Sequence, residues 1–172
     1  MTRVRNTQVM AHFGYVTDLF VDAIVSGANP YLDMDRGIAL IIKQKGGKKI
    51  EDEAKDRAPI DPGNVIVTKA GSLNAKYVIH AVAVDSDLIA TEDTIKEATE
   101  NSLLSAEELK LKSIAFPALG TVIGGVPINR AAKVMVGKVK EHSSEQTNIE
   151  VITFAVCNRE AYSVLKKEIE NR

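Results

Sequence analysis

The sequence predicts an α/β protein with three α/β/α layers, in which helices cover both faces of a mixed, largely parallel central sheet. Short apolar runs typical of buried strands alternate with segments of helical periodicity along the 172 residues. Dense turn signals, such as Ala58-Pro-Ile-Asp-Pro-Gly63, separate these segments because proline and glycine interrupt regular structure. The length and the hydrophobic fraction of 45% suit a substantial core, so we expect residues 1–172 to form a single domain.

Each element has its own signal in the sequence. Apolar and β-branched runs indicate strands, whereas apolar positions three or four residues apart indicate helices. Strands are predicted at residues 7–13, 23–25, 64–70, 75–83, 113–116 and 151–156. Helices are predicted at residues 37–45, 48–57, 91–111, 129–141 and 160–170, with Thr91 or Thr94 as the N-cap of the third helix.

The composition argues against several classes of function. The net charge is -1, tryptophan is absent and aromatic residues make up 5%, which disfavours a nucleic-acid surface built on charge or base stacking. A local cluster of Lys43, Lys45, Lys48 and Lys49 keeps nucleic-acid contact open as an alternative to a solvated helix end. We expect no secretory signal and no membrane span, which needs roughly 18 apolar residues, and hence a soluble, cytoplasmic protein without membrane contact.

Few side chains have the potential for metal binding or covalent chemistry. The one cysteine, Cys157, excludes an internal disulfide and follows the last predicted strand, where we expect a buried thiol and not a nucleophile. His12, His80 and His142 have no second His or Cys at metal-ligand spacing, so core or surface positions are predicted for them. We therefore predict no metal and no cofactor.

Two loops rich in small residues follow predicted strands, one at residues 26–38 and the other at residues 119–126. Because open α/β sheets bind ligands where their parallel strands end, we expect the two loops to face each other across a groove. The segment Gly120-Thr-Val-Ile-Gly-Gly125 is typical of a phosphate cradle made of backbone N–H groups. It lacks the Lys-Ser/Thr ending of a P-loop, which excludes nucleotide hydrolysis of that type.

Asn29 is the principal polar residue of the first loop. Its amide both donates and accepts hydrogen bonds, which suits the recognition of a ribose. The same amide also suits an asparagine that holds its own turn before Pro30. Both interpretations stay open from the local pattern.

Taken together, these segments resemble the macro domain family of ADP-ribose-binding modules. Val21-Asp-Ala-Ile-Val-Ser-Gly-Ala-Asn29 is similar to the family's Val-Asp-Ala-Ile-Val-Asn-Ala-Ala-Asn, and Gly14 matches the Gly of its Gly-Asp-Ile-Thr segment. Arg36-Gly-Ile-Ala39 falls where the family has Gly-Gly-Gly-Val-Ala, and Ser113-Ile-Ala-Phe-Pro-Ala118 is close to the strand before its phosphate loop. The resemblance covers nearly the whole chain and implies the macro domain fold, with ADP-ribose or a related nucleotide as the partner.

The first loop and the segment before it differ from the family pattern at several positions. Tyr15 stands where the family places an Asp that accepts a hydrogen bond from the adenine amino group, and Asp18 is the nearest acid. Ser26 replaces the first Asn of the family motif, whereas Asn29 retains the second, which is associated with the distal ribose. The family's glycine triplet is reduced to Asp35-Arg-Gly37, so that an added Arg36 either binds phosphate or fills the groove.

The second loop differs from the family's Ser-Thr-Gly-Ile-Tyr-Gly. Val122 replaces a glycine beside the diphosphate, where its side chain is expected to be an obstacle, and Gly124 replaces the aromatic that covers the distal ribose. The ligand-binding residues implied by the resemblance are Tyr15, Val16, Ser26, Asn29, Arg36, Gly37, Ile38, Gly120, Thr121, Val122, Ile123, Gly124 and Gly125.

Three functions therefore compete. The first is a module that binds ADP-ribose or a related nucleotide between the two loops. The second is hydrolysis of an ADP-ribosyl ester, O-acetyl-ADP-ribose or ADP-ribose 1″-phosphate (Appr-1-p processing), with Asn29, Asp33 and Asp35 as weak catalytic candidates. The third is an RNA or protein interaction scaffold that has lost ADP-ribose binding.

Overall fold

A computed structural model of the chain describes residues 1–171, which form one mixed sheet and the helices that cover it. The strands are β1 (Thr2–Val4), β2 (Thr7–Phe13), β3 (Ala23–Ala28), β4 (Val65–Lys69), β5 (Tyr77–Val82), β6 (Ser113–Phe116) and β7 (Val151–Val156). The helices are α1 (Gly37–Gly46), α2 (Lys49–Lys55), α3 (Glu92–Glu108), α4 (Ile128–Ser144) and α5 (Arg159–Glu170), and a 3-10 turn spans Val16–Asp18. The predicted α/β class is confirmed.

The order of the strands brings distant parts of the sequence together. The sheet runs β1-β2-β7-β6-β3-β5-β4. The five strands β2, β7, β6, β3 and β5 are parallel, and only the edge strands β1 and β4 pair in the antiparallel sense. The segments that follow these five strands therefore meet at one edge of the sheet.

The central strands are mostly apolar because helices cover both of their faces, and their few polar residues, such as Ser26, His80 and Thr153, are buried. Side chains of α3, α4 and α5 pack on one face, and those of α1 and α2 pack on the other. Phe116 and Phe154 are fully buried, and their rings stack with centroids 5.6 Å apart. None of the helices in residues 1–171 has the length and apolar character needed to cross a membrane.

Several boundaries differ from the predicted ones for identifiable reasons. The strand β3 continues to Ala28 and not only to Val25, because its small residues still pair in register with β5. The helix α3 ends at Glu108, just before Lys110 adopts a positive φ of 56°. Thr91 and Thr94, alternatives in the sequence, form one capping box in which each backbone N–H donates to the other hydroxyl.

His80 is a fully buried polar side chain on β5, in agreement with the predicted core position. Its Nε2 lies 2.9 Å from Oγ1 of Thr68 on β4, whereas Nδ1 has no hydrogen-bond partner within residues 1–171. Burial lowers the pKa of His80 to about 4, and the nearby Arg57 charge acts in the same direction. The imidazole is therefore neutral in the folded protein near neutral pH.

Glu107 connects three separate segments near the end of α3. Its carboxylate accepts hydrogen bonds from the Thr147 hydroxyl, from the Asn148 backbone N–H at 3.1 Å and from the Asn148 side-chain amide at 3.2 Å. His142 Nε2, from the last turn of α4, lies 3.2 Å from the same carboxylate. Partial burial acts to raise the pKa of Glu107, but the hydrogen bonds from Thr147 and Asn148 hold it below its usual value.

We expect acid to weaken the fold through His80. The folded-state pKa is depressed from 6.5 to about 4, so the unfolded chain takes up a proton that the folded chain excludes. Above about pH 6.5 the free energy of unfolding does not depend on the protonation of His80. As the pH falls from about 6.5 to about 4, the free energy of unfolding decreases by about 3 kcal/mol. Denaturant titrations of wild type and His80→Gln across this range measure the difference. Identical pH dependence in the two proteins would contradict the assignment.

Loss of the Glu107 carboxylate should destabilise the fold. Glu107→Ala leaves several donors without an acceptor, and we expect a loss of about 2–3 kcal/mol in the free energy of unfolding. Glu107→Gln keeps one oxygen acceptor and should lose less. The exposed neighbour Glu108 is the control, because Glu108→Ala should change stability by no more than about 0.5 kcal/mol. Urea unfolding at neutral pH compares them, and equal midpoints for both alanine variants would refute the role of Glu107.

Candidate functional site

A groove of about 380 Å³ lies at the edge where the five parallel strands end. This volume is in the range of small-molecule binding sites. Residues that follow β2, β3, β5, β6 and β7 all contribute to its walls, and the first turn of α1 closes one side. The two loops singled out in the sequence therefore face each other across one cavity.

The groove brings together most of the residues proposed from the sequence. The proposed residues found among its walls are Tyr15, Asn29, Asp33, Arg36, Gly37, Ile38, Gly120, Thr121, Val122 and Ile123.

Three proposed residues at or near the first loop lie outside the groove walls. Val16 is fully buried in the core beneath α1, because its 3-10 turn directs the side chain inward. Ser26 is also fully buried, since the alternation along β3 places it on the same face as Ile24. Asp35 is exposed and forms an ion pair with Arg36, with 3.3 Å between Oδ1 and Nε.

Gly124 and Gly125 also lie outside the groove walls. At Gly124 the surrounding atoms leave no room for a side chain. Its φ is +116°, and a Cβ placed there would lie 2.7 Å from the Ala90 Cβ and 2.8 Å from the Gly120 carbonyl oxygen. The Gly124 carbonyl accepts a hydrogen bond of 3.0 Å from the Ala90 N–H. No side chain fits at this position without a shift of the backbone, so an aromatic cover cannot come from residue 124.

The segment after β5 supplies a wall that the sequence interpretation missed. Leu88 lines the groove and adopts a positive φ of 63°, which is uncommon for a side chain of this size. The Asp85 carboxylate holds this turn, because Oδ1 accepts from the N–H groups of Asp87 at 2.9 Å and Ile89 at 3.0 Å. The signal was available: Asp85-Ser-Asp87 is a turn sequence at the end of a predicted parallel strand.

Two sets of backbone donors lie at the middle of the groove. Within residues 1–171, no backbone carbonyl accepts a hydrogen bond from the N–H groups of residues 37–39 or 120–125. The N-cap Arg36 provides no side-chain cap to α1. Free N–H groups at a helix start, with the helix dipole, and on a glycine-rich loop both favour a bound anion. The centre of the groove is therefore suited to a phosphate group.

The two loops contact each other over this centre without closing it. Gly37 has a φ of +58°, and a Cβ placed there would lie 3.0 Å from Cδ1 of Ile123. Val122, which was expected to be an obstacle, is among the groove walls and is 93% exposed to solvent, and whether it obstructs a ligand stays a prediction. Arg36 is paired with Asp35 on the exposed side, and the cavity remains open beside it.

Asn29 holds its own turn, which is one of the two interpretations left open by the sequence. Its Oδ1 accepts hydrogen bonds from the N–H groups of Tyr31 at 3.0 Å and Asp33 at 3.4 Å, and Nδ2 donates to the Asp33 carbonyl at 3.3 Å. The amide also lines the groove. Because Nδ2 carries two hydrogens, one donor remains for a ligand. Contact with a ribose stays a prediction.

The first loop is also held by charged groups. Glu51 on α2 is buried, accepts a hydrogen bond of 2.6 Å from the Met34 N–H and lies 3.5 Å from the Lys43 ammonium. Lys55 on the same helix forms an ion pair with Asp33, with 2.6 Å between Nζ and Oδ1. This hydrogen bond to Asp33 raises the pKa of Lys55. The helix α2 thus anchors the loop that carries Asn29.

The predicted burial of Cys157 is wrong. The thiol is exposed and lines the groove, because β7 ends at Val156 and Cys157 is the first residue beyond the strand. Partial burial still raises the pKa of the Cys157 thiol, although a hydrogen bond with the Tyr15 hydroxyl opposes this change. The side chain is a neutral thiol near neutral pH.

Tyr15 forms the outer wall at this end of the groove. Its ring is partly exposed, and the Lys45 ammonium lies 5.3 Å from the ring centroid. The same ammonium lies 3.4 Å from Oδ1 of Asp18. Lys43 and Lys45 are thus both engaged in ion pairs, which reduces the case for a lysine surface that contacts nucleic acid.

Comparison with known proteins identifies the family of the chain. A sequence model described as Macro domain matches residues 25–135. An uncharacterized protein of Sulfurisphaera tokodaii is 41% identical over 155 residues, which cover 88% of this chain and 85% of that protein. An uncharacterized protein of Sulfolobus acidocaldarius is 39% identical over 168 residues, covering 95% of this chain and 91% of that protein.

Solved structures of macrodomains share the fold. A mutant macrodomain of Oceanobacillus iheyensis with ADPR superimposes with a TM-score of 0.90 at 21% identity and covers 98% of this chain and 95% of that one. A Trypanosoma brucei macrodomain in complex with ADP-ribose gives a TM-score of 0.87 at 26% identity, over 92% of this chain and 68% of that one. This chain belongs to the macro domain family.

Proposed function

We propose that the chain binds ADP-ribose or a closely related nucleotide in the groove between residues 26–38 and 119–126. The observation that carries the proposal is the pair of backbone N–H sets, at residues 37–39 and 120–125, that have no backbone acceptor among residues 1–171. A diphosphate supplies acceptors for both sets at once. The Trypanosoma brucei macrodomain solved with ADP-ribose supports the same ligand class.

The dimensions of the groove suit a ligand with a diphosphate between two larger groups. Four strand spacings separate β2 from β5, and at about 4.8 Å each they give about 19 Å. The N–H sets lie at the middle strands, whereas Tyr15 lies at one end and Asn29 with Leu88 at the other. An aromatic ring suits a base, and an amide suits the hydroxyl groups of a sugar.

The diphosphate is bound mainly by the backbone in this proposal. Arg36 is the only cationic side chain among the groove walls within residues 1–171. Hydrogen bonds to a charged group contribute about 1.5–3 kcal/mol each.

We place the binding activity in a single domain made of residues 1–172. We place the protein in the cytoplasm, because a single cysteine suits a reducing compartment.

Arg36→Asp should stabilise the fold and weaken binding. An aspartate at the N-cap accepts hydrogen bonds from the first N–H groups of α1, which adds about 1 kcal/mol to the free energy of unfolding. Those same groups are then unavailable to the diphosphate, and the new carboxylate repels it. Calorimetric titration with ADP-ribose should show at least about tenfold weaker binding, while thermal melting shifts upward.

Arg36→Ala is the matched control, because it removes the cation and leaves the N–H groups free. The loss of affinity in Arg36→Asp should exceed that in Arg36→Ala by about tenfold. Equal affinities in the two variants would show that the helix start does not hold the diphosphate. For the wild type, absence of both heat and thermal shift at about 1 mM ADP-ribose would exclude the proposed function.

A second candidate function is hydrolysis at the sugar end of the ligand, as in Appr-1-p processing. It is favoured by Asp33, which lines the groove beside Asn29 and whose carboxylate is paired with Lys55. A carboxylate next to the distal ribose can orient or deprotonate a water molecule. Asp35 does not line the groove, which leaves Asp33 as the acid to test. The candidate substrates are an ADP-ribosyl ester, O-acetyl-ADP-ribose and ADP-ribose 1″-phosphate.

Asp33→Asn separates hydrolysis from binding. The substitution keeps the shape of the side chain but removes its charge and the ion pair with Lys55, so ADP-ribose affinity is measured in parallel, and a change of no more than about threefold shows that the loop is still in place. If the protein is a hydrolase that uses Asp33, release of ADP-ribose from each substrate should fall about 100-fold or more. Product release is followed by chromatography, with Asp35→Asn as the control outside the groove. Equal turnover by wild type and Asp33→Asn would exclude Asp33 as the catalytic group.

A further inference from the structure

The end of the groove at β2 and β7 presents polar groups that adapt to their partner. The Tyr15 hydroxyl and the Cys157 thiol each donate or accept a hydrogen bond. Asn158 also lines this end, and its Oδ1 is engaged with the Ala161 N–H at 3.0 Å as the N-cap of α5. The side-chain N–H groups of Asn158 therefore remain as donors. Because Asn158 is exposed and its donors can bond to water, a base bound here meets no buried group that demands one particular hydrogen-bond pattern.

The nearest carboxylate, that of Asp18, already interacts with other groups of the protein. Its Oδ2 accepts a hydrogen bond of 3.0 Å from the Tyr15 N–H, and its Oδ1 lies 3.4 Å from the Lys45 ammonium. Asp18 is not among the residues that line the groove. An amino group on a bound base therefore meets no charged acceptor at this end.

The Tyr15 ring offers a flat surface in place of a charged acceptor. Tyr15 is 41% exposed, and the Lys45 ammonium lies over its ring, 5.3 Å from the centroid, where a cation–π contact is favourable. Stacking on an aromatic ring tolerates any base, because every base has a flat face. Strong selection against a missing polar group arises only where a buried group of the site is then left without a partner. A hydroxyl and a thiol that switch between donating and accepting avoid that penalty.

We propose that this end of the groove holds a purine by its flat face and does not require the exocyclic amino group. The ligand class is then purine-nucleoside diphosphate ribose with either an amino or an oxo group on the base. The inference rests on the proposed binding of ADP-ribose in the groove, and it assigns Tyr15 as the residue that sets the tolerance for the base.

Titration calorimetry of the wild-type chain with ADP-ribose and with inosine diphosphate ribose tests this directly. The two ligands differ at position 6 of the purine, which carries an amino or an oxo group, and at N1, which accepts a hydrogen bond in adenine and donates one in hypoxanthine. We expect dissociation constants within about threefold of each other. Equal or tighter binding of the inosine compound supports the inference. A preference for ADP-ribose of about tenfold or more overturns it, even though the proposed function then stands. Failure of both ligands to bind removes the proposed function and this inference together.

Two variants at Tyr15 test the residue. Tyr15→Asp places a carboxylate at this end, so it should create a preference for ADP-ribose of about tenfold over the inosine compound. Tyr15→Phe keeps the ring and loses the hydroxyl, so the affinity ratio should stay within about threefold of unity. A Tyr15→Asp protein that folds and still binds the two ligands with equal affinity would show that the base does not lie at Tyr15. A Tyr15→Phe protein that becomes selective would show that the hydroxyl reads the base, and either result overturns the inference.

Discussion

The parallel alignment of five adjacent strands is the constraint on which the site depends. Parallel strands end at the same edge, so segments that are far apart in the sequence deliver their loops to one place. The turns needed there leave backbone N–H groups without acceptors at residues 37–39 and 120–125. Such groups are costly to bury and remain favourable only where water or an anion reaches them. The fold thus provides backbone donors that suit an anion, almost independently of side-chain charge.

Side chains around this backbone site determine which other parts of a ligand are recognised, and some of them also stabilise the protein. Asn29 holds its own loop and still presents one N–H to the groove. Asp18 fixes Tyr15 and Lys45 and contributes no wall. The sequence departs from the family pattern at the centre of the groove, at Arg36 and Val122, as well as at its ends, yet the backbone N–H groups at the centre still have no backbone acceptor within residues 1–171.

The sequence predicted the parts of the fold that depend on local apolar patterns. The strands at residues 113–116 and 151–156 have the predicted bounds, because both are short, mainly apolar runs with clear ends. The continuation of β3 through Ser26 and Gly27 was missed, since small residues signal a loop and only pairing with β5 makes them a strand. The exposure of Cys157 and the wall at Leu88 depend on which strand ends meet, which local patterns do not contain. Whether Val122 would obstruct the groove depended on the direction of one side chain.

The hydrogen bond between the Gly124 carbonyl and the Ala90 N–H has a consequence for how the groove responds to parts of a ligand. It joins the loop at residues 120–125 to the turn that carries Leu88, so we expect a shift of one wall to displace the other. We expect a diphosphate bound at residues 120–125 also to restrict the turn that carries Leu88. The free energies contributed by the two halves of a ligand are then cooperative, and fragments bound singly will underestimate the affinity of the whole molecule.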